Sequence, residues 1–130
     1  MIKSRIKLDY LKVPSACNMD FELLEVLAEK FKKKIHISLG MTKKSEIDMI
    51  FNFFKKNNRN KDLVFYACTS DYPAKFDNLC LLEIKNLKEK FGNKLFDVAF
   101  SRSHLGIAVH ISSYTLVANY TKRILQLEQT

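Results

Sequence analysis

The sequence predicts an α/β protein built on a parallel sheet. Strand-like and helix-like segments alternate along all 130 residues, the pattern of successive βα units. The run Leu63-Val64-Phe65-Tyr66-Ala67-Cys68 is apolar throughout, as a strand covered on both faces requires. Four strand ends lead into hydroxyl-bearing loops, at Ser15, Ser38, Ser70 and Ser101, 23 to 32 residues apart. That spacing suits right-handed crossovers, and the carboxyl ends of parallel strands are where such folds bind ligands.

Each element has its own signal. Residues 6–13 largely alternate apolar with polar and stop at Pro14, which lacks the N–H a ladder needs. Asp20 is a helix cap, and Phe21, Leu24, Leu27, Ala28 and Phe31 follow at helical spacing. Residues 35–39 read as a short strand that turns at Gly40. Thr42 is expected to cap a second helix whose buried face is Ile47, Ile50, Phe51 and Phe54. The polar turn 57–60 leads into the apolar strand 63–68. Asp77 or Asn78 should cap a third helix, residues 79–91, with Cys80, Ile84, Leu87 and Phe91 inward and Gly92 as its stop. Residues 95–100 form a fourth strand, 106–118 a more apolar fourth helix and 123–127 a fifth strand.

Four such units cannot close an eight-unit barrel, which takes about 250 residues. The sheet should therefore be open, with two edges whose unpaired backbone groups invite another chain. A homo-oligomer or a complementing chain is the expected partner.

Composition narrows the function classes. The first residues lack the apolar core and cleavage site of a signal peptide, and no apolar run is long enough to span a membrane. A cytoplasmic location without membrane association is expected. Cys17, Cys68 and Cys80 show no C-x-x-C or metal-type spacing, which argues for reduced thiols rather than disulfides or zinc. The net charge of +8 comes from scattered lysines. Lys30, Lys32, Lys33 and Lys34 end the first helix, and Lys55, Lys56, Arg59 and Lys61 follow the second, positions favoured by the helix dipole. Solvated faces explain these charges better than nucleic acid does. No P-loop, triad or G-x-G-x-x-G is present. His36 and His110 read as packed histidines, and Cys68 as a buried small residue rather than a nucleophile.

Four of these stretches, in order and in register, resemble the N-acetylneuraminate (sialic acid) synthase family. Leu11-Lys12-Val13-Pro14-Ser15-Ala16 is similar to the family's K-(I/V)-(P/G/A)-S segment. Ile37-Ser38-Leu39-Gly40-Met41 is similar to its S-T-G-M, and Cys68-Thr69-Ser70-Asp71-Tyr72-Pro73 to its H-C-T-S-E-Y-P. Residues 101–107 stand where the family has S-D-H-T-L-G-I, with Leu105-Gly106-Ile107 intact. The resemblance implies a partial (β/α)8 barrel covering about the fourth through eighth strands. Residues 1–130 would form a single domain, without the first three strands and without the small antifreeze-like domain. It also implies the condensation of phosphoenolpyruvate with an N-acetyl-hexosamine such as N-acetylmannosamine. Lys12, Ser15, Ser38, Ser70 and Ser101 fall on positions that hold phosphoenolpyruvate, and Tyr72 on a position lining the sugar side. A lysine suits phosphate as a compact charge, and strand-end hydroxyls add neutral donors.

The chain departs from the family at the metal. The family binds manganese or magnesium through two histidines, one in S-D-H and one in a last-strand E-(K/R)-H-F-T. Ser103 and Glu128 occupy those two places here, and Arg102 and Gln126 replace acids. No residue is in strict register as a metal-binding histidine; His104, one position late, and Glu128 are the candidates. Cys17 replaces a further acid, and Ala67 the histidine before the Cys-Thr-Ser segment. The reading is a synthase-like protein with a degraded metal site. The alternatives are a non-catalytic α/β interaction module or pseudoenzyme remnant, and then a basic nucleic-acid binder.

Overall fold

The structure is a computed structural model that describes residues 7–68, 81–102, 111, 115 and 121–123. Five strands form one sheet: β1 (Tyr10–Val13), β2 (Lys34–Ser38), β3 (Leu63–Cys68), β4 (Asp97–Arg102) and β5 (Thr121–Arg123). All pairings are parallel and the spatial order is β1-β2-β3-β4-β5. Among the described residues, three α-helices have defined bounds: α1 (Phe21–Lys30), α2 (Lys44–Lys56) and α3 (Leu81–Phe91). A strand order that follows the sequence means every crossover turns the same way, so right-handed connections put the helices on one face of the sheet. This is the winding of a barrel wall, and the expected α/β partial barrel is what the chain forms.

Strand alternation divides the side chains between two faces. Val13, Ile35, Ile37, Leu63, Phe65, Ala67, Val98 and Phe100 face the helices. They pack with Leu24, Leu27, Ile47, Ile50, Phe54, Ile84, Leu87 and Phe91 into one core. Val64, Tyr66 and Ala99 form a separate small cluster on the opposite face, which also carries His36 and Ser38, both buried.

The helix ends follow from local chemistry. The Asp20 carboxylate accepts from Leu23 N–H at 3.1 Å, the N-cap that the sequence predicts. The α2 cap is Lys43, not Thr42. The Thr42 hydroxyl is engaged elsewhere, donating to the Gly40 carbonyl at 3.2 Å, while the Glu46 side chain accepts from Lys43 N–H at 2.7 Å. Gly92 does close α3, but by close approach: a Cβ there would collide with the Lys88 carbonyl. Its N–H instead bonds that carbonyl at 2.8 Å.

Four strands differ from expectation in their bounds. β2 runs Lys34–Ser38 rather than 35–39. β1 begins at Tyr10, and Lys7, Leu8 and Asp9 lie outside it. β4 runs two residues later than predicted, because Leu95 and Phe96 belong to the approach: Leu95 is buried and Phe96 half exposed under the Lys34 ammonium. β5 starts at Thr121 rather than Arg123. Ile111 and Thr115 are helical and exposed. Asp77, Asn78, Cys80, His110 and the rest of the fourth helix lie outside the described residues.

At the amino-terminal end of the sheet, Arg59 is the main staple. It donates to the Ala28 carbonyl at 2.6 Å, the Lys33 carbonyl at 3.0 Å and Asp62 at 2.8 Å. Lys34 reaches the same carboxylate at 3.0 Å. Burial alone raises the Asp62 carboxyl, but the hydrogen bonds from Lys34 and Arg59 outweigh it and hold the group below the usual carboxylate range.

Candidate functional site

The carboxyl ends of β1, β2, β3 and β4 bring polar groups together on the face opposite α1, α2 and α3. Pro14 ends β1, and residues Ser15–Cys17 form a single 3-10 turn. That turn carries the Ser15 hydroxyl towards β2 and β3: it accepts from Gly40 N–H at 3.1 Å and lies 3.5 Å from Cys68 Sγ. Asn18, buried behind it, donates to the Ser38 carbonyl at 2.8 Å and to Thr42 Oγ1 at 2.7 Å. The Asn18 amide therefore locks the β2 loop, whose Met41 is held at φ 57 and is largely exposed.

Lys12 points along the same face. Its ammonium donates to Ser101 Oγ at 3.2 Å and sits 4.1 Å from the centre of the Tyr66 ring. Tyr66 OH is 3.0 Å from His36 Nδ1, and the His36 ring stacks on Tyr10 with centroids 4.2 Å apart. Burial, followed by the neighbouring Lys12 charge, lowers the His36 pKa to about 4. The imidazole is neutral at pH 7, and Lys12 is the positive charge of this cluster.

The structure thus gathers four of the residues expected from sequence. Lys12 and Ser101 touch, Ser15 links the ends of β2 and β3, and Ser38 is buried on the same face. Ser70, Tyr72, His104 and Glu128 lie outside the described residues. His36, Tyr66, Asn18 and Thr42 are components that sequence reasoning did not assign. Period-two spacing gives a signal for the first: His36 lies two residues before Ser38 and so shares its face. Cys17 and Cys68 are free, half-buried thiols. Among the described residues no three His, Cys, Asp or Glu side chains converge as metal ligands, and no helix is long and apolar enough to cross a membrane.

The chain is 30% identical over 127 residues to the N,N'-diacetyllegionaminic acid synthase of Campylobacter jejuni, covering 97% of this chain and 37% of that protein. It is 32% identical over 104 residues to a pseudaminic acid synthase of the same species, covering 80% of this chain and 29% of the relative. The chain spans about a third of the length of these curated relatives. Among solved structures, it superposes with TM-score 0.82 on a spore coat polysaccharide biosynthesis protein E of Chromobacterium violaceum, at 20% identity over 93% of this chain and 35% of that one. The TM-score is 0.80 with an N-acetylneuraminic acid (sialic acid) synthetase from Leptospira borgpetersenii, at 24% identity over 88% of this chain and 38% of the other. Residues 1–129 match the NeuB family, and the chain belongs to that family of sialic and related sugar-acid synthases.

Proposed function

We propose that this chain forms the phosphoenolpyruvate-binding arc of a synthase that joins phosphoenolpyruvate to an N-acetyl-hexosamine of the N-acetylmannosamine type. The observation that carries this is the Lys12–Ser101 contact, with Ser15 and Ser38 at neighbouring strand ends. An ammonium flanked by hydroxyls suits a phosphate or carboxylate. The charge supplies attraction, and each hydroxyl donates to one oxygen. Ser15 accepts from Gly40 N–H, and an incoming anion would compete with Cys68 Sγ for its hydroxyl. Ser70 and Tyr72 complete the set on this reading, as further phosphate and sugar contacts.

In the proposed reaction, C3 of phosphoenolpyruvate attacks the sugar aldehyde carbon. Water adds at C2, and phosphate leaves with its oxygen. Lys12 and the hydroxyls hold the phosphate and carboxylate while the carbon–carbon bond forms. A divalent metal bound through two imidazoles would polarise the aldehyde. The two places that would supply them carry Ser103 and Glu128. A hydroxyl and a carboxylate do not fit a two-imidazole site, so no step is routed through a metal. His104 and Glu128 remain the residues to test for manganese or magnesium.

Residues 1–130 act as one partial barrel domain in this proposal. A further chain or copy, pairing at the sheet edges, supplies the rest of the wall. The cell compartment proposed is the cytoplasm. The interaction-module reading draws on the β1 edge, where Leu8 and Tyr10 are about half exposed.

Calorimetric titration with phosphoenolpyruvate, with and without manganese, tests the proposal. Saturable binding that is lost in Lys12→Ala is expected. A folded chain that binds neither phosphoenolpyruvate nor phosphate refutes it and favours the interaction module.

A further inference from the structure

We propose that Tyr66, anchored by His36, is a positioning residue that steers the Lys12 ammonium onto Ser101. The inference rests on the anion-site reading above. A lysine side chain has four rotatable bonds and ordinarily extends into water. Lys12 instead lies across the sheet, with its ammonium 4.1 Å above the Tyr66 ring and 3.2 Å from Ser101 Oγ. The face of an aromatic ring is negative and holds a cation at this distance. Tyr66 thus acts as a platform between β1 and β4, the two strands it helps to connect.

The platform is itself fixed. Tyr66 is 5% exposed, and its hydroxyl meets His36 Nδ1 at 3.0 Å. The His36 ring is in turn stacked on Tyr10. The row Tyr10, His36, Tyr66, Lys12 runs over β1, β2 and β3, so the placement of the ammonium depends on side chains from three strands. His36 is neutral at neutral pH, so it anchors the phenol without setting a second cation against Lys12. Nδ1 of a neutral imidazole takes either role with the phenol according to its tautomer, and in both cases the bond fixes the ring.

Two measurements on the full chain test this. The first is affinity for inorganic phosphate and for phosphoenolpyruvate in Tyr66→Leu, Tyr66→Phe, His36→Leu and Lys12→Ala, with folding of each checked by circular dichroism. Tyr66→Leu should weaken binding by about three- to tenfold. Tyr66→Phe, which keeps the ring and loses its anchor, should have a smaller effect of the same sign. The second is the NMR position of the Lys12 Hε protons, which a ring beneath them shifts upfield and which a merely structural role for Tyr66 would leave in the ordinary range. That shift should be present in the parent, reduced in Tyr66→Phe and His36→Leu, and gone in Tyr66→Leu.

Binding that is lost in Lys12→Ala but unchanged in folded Tyr66→Leu overturns the inference alone, as does an unshifted Lys12 resonance in the parent. If Tyr66→Leu does not fold, Tyr66→Phe and His36→Leu decide by the same two readouts. A folded parent that binds neither anion overturns the anion site, and this inference with it.

Discussion

Lys12 Nζ lies 3.2 Å from Ser101 Oγ although their strands, β1 and β4, stand three places apart in the sheet. In a flat sheet three strand spacings are about 14 Å, which a lysine and a serine cannot span between them. The contact requires the sheet to curve, with Lys12 and Ser101 on its concave side. The curvature of a barrel wall is therefore present in the described residues themselves, and it is what makes a site out of separate strand ends.

Replacing either member should affect the two sides unequally. Lys12→Ala removes the charge and should weaken phosphoenolpyruvate binding at least about tenfold. Ser101→Ala removes one neutral donor and should cost about three- to tenfold. Calorimetry on both variants checks the order; a larger loss in Ser101→Ala would contradict it.

Acid should weaken the fold through His36. Its folded pKa of about 4 lies below the ordinary value of 6.5. The unfolded chain therefore binds more protons between those values, and stability falls as pH drops from about 6.5 towards 4, then levels. The full effect is about 3 kcal/mol as an upper bound. Urea unfolding at pH 7 and pH 4 measures it. Carboxylates also titrate in this range, so the quantity to compare is the difference from His36→Leu, whose dependence on pH should be shallower.

Arg59 tests the other end of the sheet. Its side chain is 11% exposed and holds two carbonyls and a carboxylate. Arg59→Ala should destabilise by about 1 to 3 kcal/mol in chemical denaturation, because two part-buried acceptors and one exposed carbonyl lose their donor. Arg59→Lys should recover only part, since an ammonium cannot fork to three partners in that geometry.

Gly92→Ala should destabilise by about 1 to 3 kcal/mol. The added methyl would press on the Lys88 backbone carbonyl, which cannot swing aside as a side chain can. Thermal unfolding of the single variant is sufficient to see it.

Strand β3 was fully legible in the sequence, because six consecutive apolar residues admit few other readings. Asp20 was equally plain as a cap. Thr42 misled because its hydroxyl has a better use, bonded to Gly40 and Asn18. The β4 boundary slipped because Leu95 and Phe96 are as apolar as the strand they precede, and pattern alone does not mark where pairing begins. Lys12, Ser15, Ser38 and Ser101 stand at strand ends that the sequence marks, and their role as anion contacts belongs to the proposal. His36 and Tyr66 were not assigned to the site, because both sit inside apolar runs. Only the pairing of His36 with Val64, and of Ser38 with Tyr66, shows that their rings meet on the concave face.

Every ladder in the sheet joins strands adjacent in the sequence, so the backbone bonds alone would let the units open one at a time, like links in a chain. The tie from Lys12 to Ser101 bypasses two links. An anion gripping both side chains would act as a clasp, converting stepwise opening into a single concerted event. At a hundredfold excess over its Kd it would add about 2.7 kcal/mol to that event. Occupancy of the site and cooperativity of the fold would then be two readings of one equilibrium.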